Sequence, residues 1–415
     1  MTRQLLTGNA AAAWGARLAG VDYIPAFPIT PQTEIIETLA SWCNNGAMPG
    51  RLVMLESEHS MLTAAAAAAA TGVRVFTATS SQGLLYAMEM VYTVPGWRVP
   101  LVMVNVSRGL ASPLTLESDH NDILATRDSG FLEIICASGQ EVLDSILLAY
   151  RLAEDPRVRL PVIVNMDGFT LSFTREPVEL PEPAQAEHFL PPFDPENIRF
   201  RASKPISQAV AVLGGGAYSY FRYETHLASL EALTVYDEIA ADFGRLFGRH
   251  HGVLERYRCD DAELVFFMMG AFATKAKDAV DQLRVAGHKI GLVRLRLLRP
   301  YPVSALRAAL AGKRAVAVID QNLSMGKGGV LYTELLSALY GHKEAPPIVA
   351  SFVGGLGGRD ITAEEFYEIA QQLQRAADSG VTPQPRLLFT DTELRQFRKL
   401  QSIAVVERNE LGGGS

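Results

Sequence analysis

Through residues 1–180, short apolar runs alternate with stretches whose apolar residues return every three or four positions. The runs Tyr23–Pro28, Leu52–Leu55, Val73–Thr79, Pro100–Val106, Phe131–Cys136 and Pro161–Met166 predict strands. Asn9–Ala19, Gln32–Trp42, Ser60–Ala70, Gly83–Val94 and Gln140–Ala153 carry the helical period between them. This alternation gives α/β units around a parallel sheet. The run Ala64–Ala70 is a strong helix former, and Gly72 is placed to end it. From Glu176 to Pro195 prolines interrupt both periods, so this stretch reads as a linker or a wrapping arm. A helical connector, Tyr223–Leu246, leads to a second series with strands Leu264–Met269, Lys289–Leu295, Ala315–Asp320 and Pro347–Val353. Its helices are Thr274–Ala286, Val303–Leu310, Gly329–Leu339 and Ala363–Ala377. The predicted fold is α/β with two doubly wound parallel-sheet domains. Its divisions are a first domain over 1–180, a Pro-rich arm and helical connector over 181–260, a second domain over 261–395 and a tail over 396–415.

A chain of 415 residues, 48% hydrophobic and 20% charged, has the composition of a globular protein with more than one core. Its 38 basic and 45 acidic residues leave a net charge of −7, which disfavours nucleic acid as the main ligand. The cysteines Cys43, Cys136 and Cys259 are far apart, so neither a four-cysteine metal or cluster site nor a disulfide framework is expected. No apolar run is long enough to span a membrane, and Gly8 and Asn9 interrupt what would be the core of a leader over Met1–Val21. A reduced, cytoplasmic setting is expected, with Gly412–Ser415 as a flexible tail.

The chemistry concentrates where predicted strands end. No P-loop and no strand-linked GxGxxG is present. Gly326-Lys327-Gly328-Gly329 opens a helix and reads either as a tight turn or as an anion cradle, and Gly354–Asp360 is a similar turn-rich stretch. Three polar clusters, Pro28–Pro31, Glu56–His59 and Thr79–Gly83, follow strands, and Ser107-Arg108 makes a fourth. In an open parallel sheet such strand ends converge on a ligand crevice. Glu58 suits a proton relay or a favourable charge at a helix start. Arg108 suits a carboxylate clamp or a structural ion pair. His59 and His120 have no ligand-spaced partners, so no metal site is expected.

Gly8-Asn9-Ala10, Phe27–Pro31, Glu56–His59, Thr77–Gly83 and Arg108 followed by Asp119-His120-Asn121-Asp122 occur in that order. Asp320-Gln321-Asn322, Gly326–Gly329 and Val353–Asp360 follow. Together they resemble the α subunit of pyruvate and related 2-oxoacid:ferredoxin oxidoreductases, from Gly8 to about Ala377. The resemblance implies thiamine-diphosphate-dependent oxidative decarboxylation of a 2-oxoacid to acyl-CoA and CO2. It makes the first domain pyrimidine-binding and the second transketolase C-terminal-like. A separate β subunit would hold the diphosphate and Mg2+. Partner γ and ferredoxin-like subunits would carry [4Fe-4S] clusters that pass electrons to ferredoxin or an NAD-linked acceptor.

By position, Glu58 matches the glutamate that hydrogen-bonds N1′ of the aminopyrimidine, Arg108 the residue that binds the substrate carboxylate, and Thr30 a neighbouring polar contact. These three are the expected catalytic set. Pro28, Ile29, Ser81 and Gln82 join Glu58 around the cofactor, and Phe27, Thr30, Arg108, Leu116 and Glu117 line the substrate pocket. Asp167-Gly168 lacks the leading Gly of a thiamine metal motif, with Met166 in its place, which agrees with half a site on this chain.

Two positions depart from the family pattern: Phe27 stands for the usual Tyr, and Leu116-Glu117 for an Ile-Trp or Ile-Phe pair of pyruvate enzymes. Loss of a bulky aromatic there widens the expected pocket from pyruvate toward an aryl 2-oxoacid such as phenylglyoxylate. The competing readings are a non-catalytic scaffold subunit, which needs neither Glu58 nor Arg108, and a transketolase-like transferase acting alone, which needs the missing diphosphate motif. If the pocket is widened at this position, Glu117→Trp is expected to lower kcat/KM for the aryl acid selectively. Equal losses for aryl acid and pyruvate would refute that assignment.

Overall fold

The computed structural model describes residues 2–195, 199–208 and 211–412. Its first eight strands are β1 (Thr2–Thr7), β2 (Tyr23–Ala26), β3 (Arg51–Met54), β4 (Phe76–Thr79), β5 (Val102–Ser107), β6 (Leu132–Ile135), β7 (Val162–Asp167) and β8 (Arg175–Leu180). The others are β9 (Leu254–Tyr257), β10 (Leu264–Met268), β11 (Ile290–Leu295), β12 (Leu297–Arg299), β13 (Ala315–Asp320), β14 (Ile348–Val353) and β15 (Arg386–Leu387). Two parallel-dominated sheets with helices between the strands confirm the α/β class.

In the first sheet the order is β12-β6-β7-β5-β4, and a parallel bridge from Tyr23 to Val75 attaches the β2-β3 pair beside β4. From β2 the chain steps outward to β3, then returns across β2 to β4. The strand order therefore reverses between β2 and β4, and their carboxyl ends open a crevice there. The second sheet runs β15-β14-β13-β10-β11-β9, parallel except for β9, and reverses between β10 and β13. Strands buried on both faces read as continuous apolar runs, and β5, β7, β10 and β13 are buried along their whole length.

Several expectations change. The Pro-rich arm was expected from Glu176, but residues 175–180 form β8, paired antiparallel with β1. Pro177 is tolerated because this two-stranded ribbon leaves one side of each strand unpaired. The helix expected over Gly83–Val94 is two, Ser81–Tyr86 and Met88–Trp97, meeting at Ala87. The connector helix is longer, Gly215–Phe247, and buries a face from Thr225 onward, through Ala228, Ala232, Val235, Tyr236, Ile239, Phe243 and Phe247. The expected tail is mostly an exposed helix, Asp391–Gly412, whose base is held by Arg359 against Glu393 at 2.8 Å. Gly413, Gly414 and Ser415, expected to be flexible, lie outside the described residues. Among those described, no helix is long and apolar enough to cross a membrane.

The two sheets are locked together. β12 leaves the second domain's stretch of chain and pairs with β6 at the edge of the first sheet. Arg294 and Arg296 reach Glu141 of the first domain at 2.5 and 2.9 Å. Burial alone would push the Glu141 carboxyl up, but these guanidinium groups outweigh it and hold it far below the usual range.

At the facing carboxyl ends, His120 Nε2 lies 2.6 Å from Asp167 Oδ1, and the backbone N–H of Ala271 donates to Asp167 Oδ2 at 2.5 Å. Gly270 adopts φ +77°, and a Cβ there would stand 2.6 Å from His120 Cε1, so both backbone freedom and close approach require glycine. Burial pulls the His120 imidazole down, but the carboxylates of Asp167, Asp119 and Asp122 outweigh it and set it above its ordinary 6.5. A raised histidine stabilises the folded state fully below its unfolded value, and that stability is lost as pH rises through the folded one. His120→Asn is therefore expected to cost about 3 kcal/mol at pH values below 6.5. The gap to wild type should narrow at alkaline pH, as read from denaturation midpoints across pH.

Candidate functional site

Arg108 is the first residue after β5 and lies at the crevice between the reversed strands. Its Nη1 donates to the Thr30 carbonyl at 2.8 Å, and its Nη2 donates to Gln82 Oε1 at 2.6 Å. The turns after β2, β4 and β5 thus meet on one guanidinium. The Thr30 turn is fixed from below, where Gln32 Nε2 donates to the Phe27 carbonyl and Asn9 Nδ2 to the Pro31 carbonyl, both at 2.9 Å.

Four arginines are buried among the described residues: Arg74, Arg108, Arg294 and Arg296. Three of them pair with carboxylates, Arg74 with Glu154, Arg294 with Glu141 and Glu255, and Arg296 with Glu141. Arg108 has only the neutral oxygens of Thr30 and Gln82 as guanidinium partners, and its Nε is buried without any. Burial pushes its pKa below the ordinary arginine value, with partial compensation from the nearby Asp122 carboxylate. A buried cation left with neutral partners is completed by an anion.

The turn after β4 is unusual. Ser81, the first residue of helix Ser81–Tyr86, has φ +49°, a left-handed conformation costly for a residue with a Cβ. Its hydroxyl lies 2.7 Å from Gln82 Oε1 and 3.1 Å from the Gly109 carbonyl, and its N–H donates to Asp122 Oδ2 at 3.1 Å. The polar groups of Ser81 are thus engaged within the chain.

Glu58 begins helix Glu58–Ala69, which Ser57 caps by accepting from the Ser60 N–H at 3.2 Å. Its neighbours Glu56 and His59 turn away, to Ser60 and to Glu89. Glu58 itself is buried and packs on Gly83, where a Cβ would overlap both Glu58 Oε1 and Thr79 Oγ1. No described residue hydrogen-bonds its carboxyl. Thr79 Oγ1, Ser80 Oγ and Gln82 Nε2 are also buried without partners. Unpartnered donors and acceptors therefore line the ends of β4 and β5, a setting for a polar ligand.

Pro28 and Thr30 are exposed, and Phe27 and Ile29 are half-buried. Leu116 and Glu117 lie on an exposed loop that folds back on Arg108's neighbour, the Gly109 N–H donating to the Glu117 carbonyl at 3.0 Å. The Glu117 side chain lies along Gly358 of the second domain. Of the two readings of Gly326–Gly329, the structure shows the turn. The following helix, Val330–Leu339, has its first amides taken by Asn322 (from Val330, 3.1 Å) and by Asp320 (from Leu331, 2.7 Å, and Tyr332, 3.2 Å). Burial pushes the Asp320 carboxyl up to about 7, with those amides opposing.

Sequence reasoning passed over Asn9, Gln32 and Asp122 as parts of this site, and held Gly83 only as the end of the Thr79–Gly83 cluster. Asn9 and Asp122 stood inside motifs that carried the resemblance, Gly8-Asn9-Ala10 and Asp119–Asp122, but nothing local to them shows what they hold.

Residues 14–241 match the family model described as pyruvate flavodoxin/ferredoxin oxidoreductase, thiamine diphosphate-binding, and residues 262–366 match pyruvate:ferredoxin oxidoreductase core domain II. The chain belongs to the pyruvate flavodoxin/ferredoxin oxidoreductase family. Pyruvate synthase subunit PorA of Methanothermobacter thermautotrophicus is 40% identical over 374 residues, 90% of this chain and 96% of the relative. Ketoisovalerate oxidoreductase subunit VorA of Pyrococcus horikoshii is 39% identical over 380 residues, 91% of this chain and 95% of the relative. The solved 2-oxoglutarate:ferredoxin oxidoreductase of Magnetococcus marinus shares the fold, with a TM-score of 0.68 at 20% identity over 90% of this chain and 65% of that one. A split-gene transketolase is similar at a TM-score of 0.52 and 13% identity, over 88% of this chain and 97% of that one. The protein is therefore an α subunit of a thiamine-diphosphate-type, CoA-acylating 2-oxoacid oxidoreductase, and works in an assembly with other subunits.

The Glu58–Gly83 contact gives a direct check. If Glu58 has the catalytic role expected from the sequence, Gly83→Ala should displace it and lower kcat of the assembled complex about 100-fold, with a small change in denaturation midpoint. Steady-state rates beside a melting curve measure both.

Proposed function

We propose that this chain contributes the aminopyrimidine side and the substrate-carboxylate side of a thiamine diphosphate site shared with a β subunit. The observation that carries the reading is Arg108, the one buried arginine among those described whose guanidinium meets no carboxylate. A 2-oxoacid brings the missing anion. The residues also fit the cofactor's ring: Glu58 offers a buried carboxyl that no described residue hydrogen-bonds, near the orphaned Thr79 hydroxyl over Gly83. When bound, thiamine diphosphate supplies the carbanion that adds to the 2-oxo carbon and accepts the electrons left by loss of CO2.

In this reading Glu58 holds or shares a proton at its carboxyl oxygen against the aminopyrimidine, in a site dry enough to keep that hydrogen bond strong. Arg108 orients the substrate through its carboxylate, and Thr30 and Gln82 fix the guanidinium so that little reorganisation is needed. Pro28, Ile29 and Ser81 shape the wall around the ring. Residues 1–180 form the pyrimidine-binding domain, and residues 261–395 the transketolase C-terminal-like domain. Mg2+ and the diphosphate belong to the β subunit, the [4Fe-4S] clusters to γ and ferredoxin-like subunits, and coenzyme A takes the acyl group. Ferredoxin or an NAD-linked subunit takes the electrons, in the cytoplasm.

Pyruvate and an aryl acid such as phenylglyoxylate are the proposed substrates. The relatives' names add ketoisovalerate as a branched acid to test. A scaffold role gives no reason for a buried Arg108 whose guanidinium meets no carboxylate, or for a buried Glu58. Arg108→Gln is expected to raise KM for the 2-oxoacid about 100-fold with thiamine diphosphate still bound. Glu58→Gln should lower kcat by about 100-fold or more at little cost in KM. Coenzyme-A-dependent dye reduction by the anaerobic complex, with the three acids compared, measures both. An unchanged KM in Arg108→Gln would remove the basis of the proposal.

A further inference from the structure

We infer that Asp122 is a positioning residue, whose single carboxylate sets the substrate clamp in register with the cofactor wall. Its side chain is fully buried on the short helix Asn121–Ala125. Oδ2 accepts the Ser81 N–H at 3.1 Å and the Arg108 N–H at 3.2 Å. These amides begin the turns after two adjacent parallel strands, β4 and β5, so one oxygen atom is the common reference point for both. Asn105 Nδ2 donates to the same oxygen at 3.1 Å, and the Ser107 hydroxyl donates to Oδ1 at 2.7 Å.

The consequences pass outward through contacts already described. On the β4 side, the bond to Asp122 holds Ser81 in its left-handed conformation. That conformation places Gln82 Oε1 against Arg108 Nη2 and brings Gly83 under Glu58. On the β5 side, the same oxygen fixes the backbone from which the Arg108 side chain springs. A side chain with fewer acceptors would not serve equally: Oδ2 takes three N–H donors while Oδ1 takes the Ser107 hydroxyl and the Ile123 N–H, the latter at 2.7 Å. An asparagine would need its amide group turned so that only one of its side-chain atoms still accepts.

This inference rests on Arg108 as the holder of the substrate carboxylate, and the experiment separates the two. In the assembled complex, Asp122→Asn, Ser107→Ala, Arg108→Gln and the double variant Asp122→Asn/Arg108→Gln are compared. The readouts are KM for the 2-oxoacid, KM for coenzyme A, thiamine diphosphate affinity and melting midpoint. Asp122→Asn is expected to raise the 2-oxoacid KM about 10-fold, leaving the coenzyme A KM within about twofold. In the Arg108→Gln background the same change should add less than about threefold, because its effect passes through Arg108.

Ser107→Ala removes one donor to Asp122 without touching the clamp, and should raise the 2-oxoacid KM by a factor of about 2–5. It keeps the test available if Asp122→Asn does not assemble. A lowered melting midpoint with unchanged 2-oxoacid KM, or parallel rises in both KM values, would reduce Asp122 to a general structural role and overturn the inference. If Arg108→Gln itself leaves the 2-oxoacid KM unchanged, the reading of Arg108 fails, and this inference fails with it. If Arg108→Gln raises KM while Asp122→Asn and Ser107→Ala do not, only the positioning role is lost.

Discussion

Where a parallel strand ends inside a protein, the backbone amides that follow have left the sheet ladder but not the interior, and something must accept from them. Three buried aspartates meet this requirement here. Asp122 takes the amides after β4 and β5, Asp167 takes Ala271 across the junction of the two sheets, and Asp320 takes the first turn of Val330–Leu339. Asp122 and Asp167 join segments distant in sequence, Asp320 ties its strand to the helix that follows, and the crevice keeps its shape because these joints are buried. Donors that converge on a carboxylate from different elements give it one geometry, where a hydrophobic contact tolerates several.

The site emerges from what this arrangement leaves unsatisfied. Internal caps take the amides, so the helix that opens after Gly326–Gly329 offers no anion site despite its glycines. Buried arginines elsewhere are matched with carboxylates, so Arg108 stands out by its neutral partners alone. Glu58 is the complementary case, an acid in a buried setting with no partner in the described chain. On the proposed reading, an anion and a ring nitrogen would bring the two missing partners.

Local strain and close packing mark the same place. Ser81 is held in a left-handed conformation and Gly83 has no room for a Cβ, both within the turn that separates Glu58 from Arg108. Such features persist only where surrounding contacts over-determine them, and here the contacts are those of Asp122 and Gln82. The second domain adds stiffness to one side of the crevice: Ser118 and His120 bond to Gln321, and Glu117 rests on Gly358.

The α/β alternation was legible because strands buried on both faces must be apolar throughout, while helices between them must show a period, and both patterns are local. Glu58, Thr30 and Arg108 were legible as candidates because ordered motifs resembling a known family fall at predicted strand ends. Other features depended on contacts that no local pattern records. β8 looked like a proline-broken arm because an edge position, which tolerates Pro177, is a property of the sheet and not of the segment. β12 crosses to the other domain's sheet, which only long-range pairing decides. Whether Arg108 had a carboxylate partner, and whether a glycine-rich stretch was an anion cradle or a turn, required knowing which acids lie nearby in space. Asp122 is the clearest case. Its residue type suited many roles, and only the convergence of Ser81 and Arg108 amides on one of its oxygens assigns it this one.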